Sequence, residues 1–429
     1  MKRTRLRRLL AAGAAAASLC ALAPATPASA GPNTPGEYVA LGTPTRILDT
    51  RNAIGRAGTS PVGPNQTIDV QVTGAYSVPA SGVETVVMNV TAAGPTSQGY
   101  ISVWPSGEAR PTVSSLNFVA GQTVPNLVTV RVGAGGRVSM FNPFGNTHLI
   151  ADVVGYYDDA ATSGGTYNPL SPSRVLDTRE ASGATGGQPV SQNQTINVPI
   201  AGRGGVPAAS QVSAVALNIT ATDQSAGGYV SVWPGPAGNA RPNVSTLNFG
   251  PQQPIANLAI VTVGADGTIN LFNERGTAHL IADVVGWFDR AGTQGYVFTS
   301  VTPARVADTR PTNDPIGEEQ GPHISPMAGI GRSSVGVRAV VMNITADRGT
   351  RDSYFALYPA TLGVPPYTPV PNTSNLNWKA GQTVPNAVMT QVATSGLTGV
   401  NEGDVVVYNR FGQVHLIADL VGYFTARPS

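Results

Sequence analysis

Apolar and polar residues alternate with a period of two along much of this chain. Gly99-Tyr100-Ile101-Ser102-Val103-Trp104 alternates, as do Gln66 to Val72 and Val128 to Val132. That period is the signature of a strand, and no stretch sustains the 3.6-residue apolar period of a helix. Glycine and proline punctuate the alternating runs, 50 and 35 of the 429 residues, which suits short strands joined by many turns. Residues 136–142 and 147–157 flank an Asn-Pro-Phe-Gly turn and read as a hairpin.

The pattern occurs three times. Pro44-Thr45-Arg46-Ile47-Leu48-Asp49-Thr50-Arg51 returns as Pro172 to Arg179 and as Pro303 to Arg310. His148-Leu149-Ile150-Ala151-Asp152 returns from His279 and from His415, each time before Val-Gly and two aromatics: Tyr156-Tyr157, Trp287-Phe288, Tyr423-Phe424. Between these ends recur Asn89, Asn218 and Asn343, then Trp104-Pro105, Trp233-Pro234 and Tyr358-Pro359, then Leu116-Asn117, Leu247-Asn248 and Leu376-Asn377. A repeat of about 125 residues is the size of a complete domain rather than of a solenoid unit. Eight or nine strands per repeat predict three tandem antiparallel β-sandwiches, Ig-like or jelly-roll, spanning 37–157, 167–288 and 296–425. Polar, Gly-containing linkers at 158–166 and 289–295 suggest separate beads.

The Pro-x-Arg-x-x-Asp-Thr-Arg start, the Val-Trp-Pro and Ser-x-Leu-Asn-Phe middle and the His-Leu-Ile-Ala-Asp-Val-Val-Gly-Tyr end together resemble a repeat module of secreted actinobacterial proteins. The resemblance covers nearly all of 37–425. It implies export and, in some members, attachment beside other extracellular domains, and it implies no particular activity. The third repeat departs most. It has Tyr358 in place of Trp, an insertion around 361–371, and no counterpart of Arg110 and Arg241.

The first thirty residues change the charge picture. Lys2, Arg3, Arg5, Arg7 and Arg8 precede an Ala/Leu-rich stretch and Ala28-Ser29-Ala30. This reads as a signal peptide (1–30) cleaved after Ala30. Its removal leaves 21 basic against 24 acidic residues, a net charge of −3 in place of +2, so no nucleic-acid footprint remains. No later apolar run reaches the ~18 residues of a membrane span. The single cysteine, Cys20, leaves with the signal, so the mature chain is disulfide-free and its stability rests on burial.

Three sets of recurring residues carry candidate chemistry. His148, His279 and His415 each precede an aspartate by four positions (Asp152, Asp283, Asp419), and a serine recurs at Ser114, Ser245 and Ser374, which raises a serine-type hydrolase. In a strand, positions i and i+4 lie roughly 13 Å apart, and no Gly-x-Ser-x-Gly elbow is present. A structural histidine, bonded to a neighbouring loop, is therefore the preferred reading, with no catalytic residue, cofactor or metal. Arg46, Asp49 and Arg51, with Arg174, Asp177, Arg179 and Arg305, Asp308, Arg310, read as paired structural charges, with Asp49 and Arg51 on one strand face and Arg46 on the other. The aromatic strand is the best binding candidate. Tyr100 and Trp104 share a face beside Arg110, Tyr229 and Trp233 share one beside Arg241, and Tyr354 and Tyr358 share one in the third repeat. Each could form a shelf for a sugar ring or pack beneath a loop. The remaining asparagines read as turn and strand-end hydrogen-bonders.

The sequence thus predicts a secreted, non-catalytic, multivalent protein of the cell wall or extracellular space, with polysaccharide as its partner. A purely structural spacer is the first alternative and the hydrolase the second.

Overall fold

The structure, a computed structural model, describes residues 34–158, 164–181, 184–360, 370–394 and 400–428. The segment 1–30 expected to be a signal peptide, part of the first linker and most of the insertion in the third repeat lie outside these residues.

The first repeat contains eight strands: β1 (Tyr38–Asp49), β2 (Gln66–Gln71), β3 (Val83–Ala93), β4 (Gly99–Pro105), β5 (Leu116–Phe118), β6 (Val124–Arg131), β7 (Arg137–Asn142) and β8 (His148–Asp158). They form two four-stranded antiparallel sheets, ordered β1-β8-β3-β6 and β2-β7-β4-β5, and the other two repeats keep the same orders. Residues 136–142 and 147–157 therefore do not form the expected hairpin. β7 pairs with β2 and β4, whereas β8 pairs with β1 and β3. The turn between them is a crossover. The Asn142 amide donates to the carbonyls of Val62, Gly63 and Gly145, which fixes the point where the chain changes sheet.

The six sheets are arranged as a six-bladed β-propeller of small antiparallel sheets, which overturns the expectation of three tandem Ig-like or jelly-roll sandwiches. The physical reason lies in the strands of the first sheet of each repeat. β3 is buried along nearly its whole length and β6 throughout. Val86, Met88, Val90 and Ala92 of β3 enter the core of their own repeat, while Val87 enters a different cluster shared by all three repeats. A sheet buried on both faces cannot belong to an isolated bead, because one apolar face would then meet water.

The shared cluster is centred on aromatic side chains. Tyr38, Tyr157, Phe298, Phe424, Tyr167 and Phe288 follow one another in a closed ring, with neighbouring centroids 4.3–5.2 Å apart. Each repeat gives one ring from its first strand and one from its last. The glycine before each closing aromatic pair makes this possible. A Cβ on Gly155, Gly286 or Gly422 would stand 2.2–2.3 Å from the ring or hydroxyl of Tyr38, Tyr167 or Phe298.

Six asparagines close the same joint. Asn257 donates to Asn89 (3.0 Å), Asn386 to Asn218 (3.0 Å) and Asn126 to Asn343 (2.9 Å), each across a repeat boundary. The oxygens of Asn257, Asn386 and Asn126 accept the backbone N–H groups of Leu127, Leu258 and Ala387. Asn89, Asn218 and Asn343 donate to the carbonyls of Ser245, Ser374 and Ser114. These residues are nearly inaccessible to water. Far from being turn residues, they join the repeats.

The segments that start the repeats also pair. Gly36 bridges Phe298, Tyr38 bridges Gly165 and Tyr167 bridges Tyr296. The second linker is tied down in turn. The Asp289 carboxylate accepts the N–H groups of Ala291, Thr293 and Gln294, and Arg427 reaches the carbonyl of Gly292.

Two outcomes follow from the joint. Asn257→Ala strands the N–H of Leu127 and the oxygen of Asn89, so it should lower stability by about 1–3 kcal/mol, read as a drop in melting temperature; an unchanged melt would mean that the asparagines do not hold the joint. The Tyr38 hydroxyl is buried without a partner, whereas that of Tyr167 donates to the Val285 carbonyl at 2.9 Å and Phe298 carries none. Tyr38→Phe should therefore be neutral or stabilising, and Tyr167→Phe should cost about 1 kcal/mol. Equal melting temperatures for the two variants would contradict this assignment.

Candidate functional site

The recurring charges form one cluster per repeat. A register shift between Arg46 and Leu48 in β1 interrupts the alternation. Arg46 is thereby brought to the same side as Asp49 and bonds it at 3.2 Å, while its Nε and Nη2 bind the Asp152 carboxylate at 2.8 and 3.1 Å. The expected placement of Arg46 on the opposite face from Asp49 is corrected by this bulge. Arg51, just past the end of β1, closes a two-point bridge onto Asp49, and Asn52 adds a third donor. The second and third repeats reproduce the set with Arg174, Asp177, Arg179 and Asp283, and with Arg305, Asp308, Arg310 and Asp419.

The two carboxylates of each cluster shift in opposite directions. Burial would raise Asp49, but its bonds from Arg51 and Asn52 outweigh burial and hold it at about 2. Arg310 holds Asp308 at about 2 against a smaller effect of burial. Asp177 is lowered in the same way as Asp49. Burial dominates at Asp152, Asp283 and Asp419 and leaves them raised despite their arginine partners. These clusters pin the first strand of each repeat to the last.

Each histidine sits beside the same anchor. The Nδ1 atoms of His148, His279 and His415 lie 2.9, 3.1 and 3.1 Å from Thr50, Thr178 and Thr309, the middle residues of the Asp-Thr-Arg motifs. Those hydroxyls also accept the N–H of Leu149, Leu280 and Leu416, and the direction of each Thr–His bond follows the histidine tautomer. The aspartate four residues on serves the arginine instead. Ser114 and Ser245 donate to Asn117 and Asn248, and Ser374 accepts from Asn377. No hydrogen bond among the described residues links these serines to a histidine, and no group of three or more His, Cys, Asp or Glu is placed to hold a metal there.

The aromatic strand lies in the second sheet of each repeat. Ile101 and Val103 enter the core, while Tyr100, Ser102 and Trp104 point outward together with Phe141, which pairs with Ser102. The chain after Trp104 folds back over that face. Ser102 donates to the Val113 carbonyl and the Trp104 indole to that of Glu108, and Trp104 is 5% exposed. Trp233 is likewise buried and bonds the Asn239 carbonyl at 3.1 Å. The tryptophans are therefore capped by their own loops. What remains at the surface is the tyrosine with its arginine. The Arg110 guanidinium lies 3.7 Å above the Phe141 ring and that of Arg241 3.9 Å above Phe272. Tyr100 and Tyr229 are half-buried, Arg110 and Arg241 are exposed, and Arg241 donates to the Tyr229 hydroxyl at 2.9 Å.

The third repeat reaches a similar arrangement by another route. Tyr354 is half-buried and Tyr358 is buried against Tyr408 in a small apolar cluster. Arg410, from the crossover turn, donates to the Tyr408 hydroxyl at 3.2 Å and also meets Glu319. No sequence position corresponding to Arg241 pointed to it, because the cation comes from a different loop.

No family model matches the chain, and neither does any curated protein. Among solved structures, similarity is found to one described as the triple jelly roll fold and turret assembly in an archaeal virus (10% identity, TM-score 0.19, 91% of this chain and 90% of that one). It is also found to a chain of Sulfolobus turreted icosahedral virus (10%, TM-score 0.19, 92% of each). A third similarity is to the N-terminal CBM22-1–CBM22-2 tandem of Paenibacillus barcinonensis Xyn10C (9%, TM-score 0.16, 62% of this chain and all of that one). At these TM-scores none of them carries an argument about this chain.

The carboxylate clusters set the acid limit of the fold. A carboxyl held below its unfolded value stabilises the fold above that value, near 3.8, and the contribution fades as pH falls through the folded value of about 2. Asp152, Asp283 and Asp419 have the opposite sign and partly offset the loss. The far-UV circular dichroism of the folded chain should therefore survive to about pH 4 and decline toward about pH 2. Asp49→Asn should lower the melting temperature at neutral pH and converge with the parent at the acid end. A constant difference across the range would show that Asp49 does not titrate as assigned.

Proposed function

We propose that this protein is an exported, non-catalytic polysaccharide-binding protein of the cell wall or extracellular space, and that its contact points are the tyrosine–arginine patches of the second sheets. One observation carries the reading. Nearly every other recurring polar or aromatic residue has a partner inside the scaffold, whereas Tyr100 with Arg110 and Tyr229 with Arg241 meet solvent. An aromatic ring beside a donor-rich group offers a sugar a stacking face and hydrogen bonds for its hydroxyls. The basic, Ala/Leu-rich start of the chain supports export.

A single such contact is weak, about 1 kcal/mol beyond the area it buries. Patches held rigidly on one body can engage one polymer together, and avidity over a single site reaches roughly 10²–10⁴ when the ligand spans them. Repetition thus has a purpose in binding that it lacks in catalysis.

A second reading, a purely structural spacer, is favoured by the burial of Trp104 and Trp233, which assigns those residues to the scaffold. Retention of the mature chain on insoluble peptidoglycan, chitin and cellulose separates the two. Tyr100→Ala, Tyr229→Ala and Tyr354→Ala should reduce retention stepwise as they are combined, with the fold intact by circular dichroism. Undiminished retention in the folded triple variant, or none for the parent chain, would leave the spacer.

A further inference from the structure

We infer that the ligand is an acidic sugar polymer, held through its anionic groups at Arg110 and Arg241. The inference rests on the polysaccharide reading above and narrows it. The two arginines occupy equivalent places in the first and second repeats, and each holds its guanidinium carbon over a phenylalanine ring. Contact with the ring holds the guanidinium in place, and its planar fork of N–H donors matches a carboxylate or phosphate through two parallel hydrogen bonds.

Neither guanidinium meets a carboxylate among the described residues, whereas most arginines of the mature chain do. Arg46, Arg131, Arg174, Arg305, Arg351 and Arg410 all have acidic partners. Glu108, two residues before Arg110, is engaged with Arg131, and Glu274, two residues beyond Phe272, meets Arg275 at 3.5 Å. In a mature chain of net charge −3, two free cations at matching repeat positions are a local exception to the overall sign. The tyrosine beside each supplies the ring face, and the Tyr229 hydroxyl orients Arg241. The third repeat lacks the free cation, since Glu319 neutralises Arg410. Among the described residues, the equivalent patches therefore carry an unneutralised cation in the first and second repeats and not in the third.

Affinity electrophoresis of the mature protein tests this in gels containing polygalacturonate, dextran phosphate, dextran or hydroxyethyl cellulose. Retardation by one of the two anionic polymers, weakened by salt, is expected. Which of them retards the protein tells carboxylate from phosphate as the group bound. The Arg110→Gln, Arg241→Gln double variant should lose about tenfold or more in apparent affinity, as expected for a lost charge-assisted contact, while Arg410→Gln should not. Neutral polymers retarding the protein as strongly, with the double variant unchanged and folded, would overturn the acidic ligand and leave polysaccharide binding standing. Retardation by none of the four polymers would overturn both.

Discussion

Three edge strands meet at the centre of this molecule, and the rest of the structure depends on how their backbone groups are satisfied. β6 and its two equivalents lie at the ends of their sheets. The N–H groups of Leu127, Leu258 and Ala387 have no neighbouring strand to donate to, and burying them unpaired would cost about 1–3 kcal/mol each. The side-chain oxygens of Asn257, Asn386 and Asn126 accept them, always from the adjacent repeat. The relation runs one way round, first repeat to second, second to third, third to first. Such a head-to-tail contact closes into a ring when the rotation permits, and otherwise it propagates. Three covalently linked copies make closure intramolecular.

The apolar counterpart of this ring is the aromatic cluster, and the two impose different constraints. The amides fix direction, because each oxygen only accepts and each NH₂ group only donates. The rings supply area and need only close packing. Gly155, Gly286 and Gly422 belong to this second constraint. Their backbone is not left-handed, so the requirement is space for Tyr38, Tyr167 and Phe298. With the centre occupied by these contacts, the outward faces of the second sheets are the surfaces on which the repeats can differ. The third repeat does differ there, exchanging Trp for Tyr358 and drawing its cation from Arg410.

The strand content and the threefold repetition were legible in the sequence, because a period of two and recurring motifs are local signals. Assembly was not. Val87 and Asn89 have the same local appearance whether their face meets solvent, a second sheet or another repeat. One signal was available: Thr85 to Ala93 and His148 to Tyr157 run nearly continuously apolar instead of alternating, which is how a strand buried on both faces reads. The hairpin expected around Asn142 failed for a related reason. Turn chemistry shows that the chain reverses, and says nothing of which sheet it enters next. The bulge after Arg46 defeated simple alternation, which put Arg46 and Asp49 on opposite faces.

At the candidate site, sequence reasoning put a tyrosine and a tryptophan together on one stacking shelf, and the structure separates the two by burial. Tryptophan was expected to share the stacking shelf with the tyrosine, yet an indole carries a donor that must be satisfied when buried. The loop after each Trp-Pro supplies the acceptor, at the Glu108 and Asn239 carbonyls, and by doing so covers the ring. The same covering loop carries Arg110 or Arg241 to its place over Phe141 or Phe272. Capping the tryptophan and presenting the arginine are therefore two consequences of one loop conformation. In the third repeat Tyr358 stands in place of the tryptophan and has no indole donor to cap. An arginine on that loop is absent as well, and the cation reaches the patch from the crossover turn. The paired departure at these positions is what a mechanical link between cap and arginine would produce.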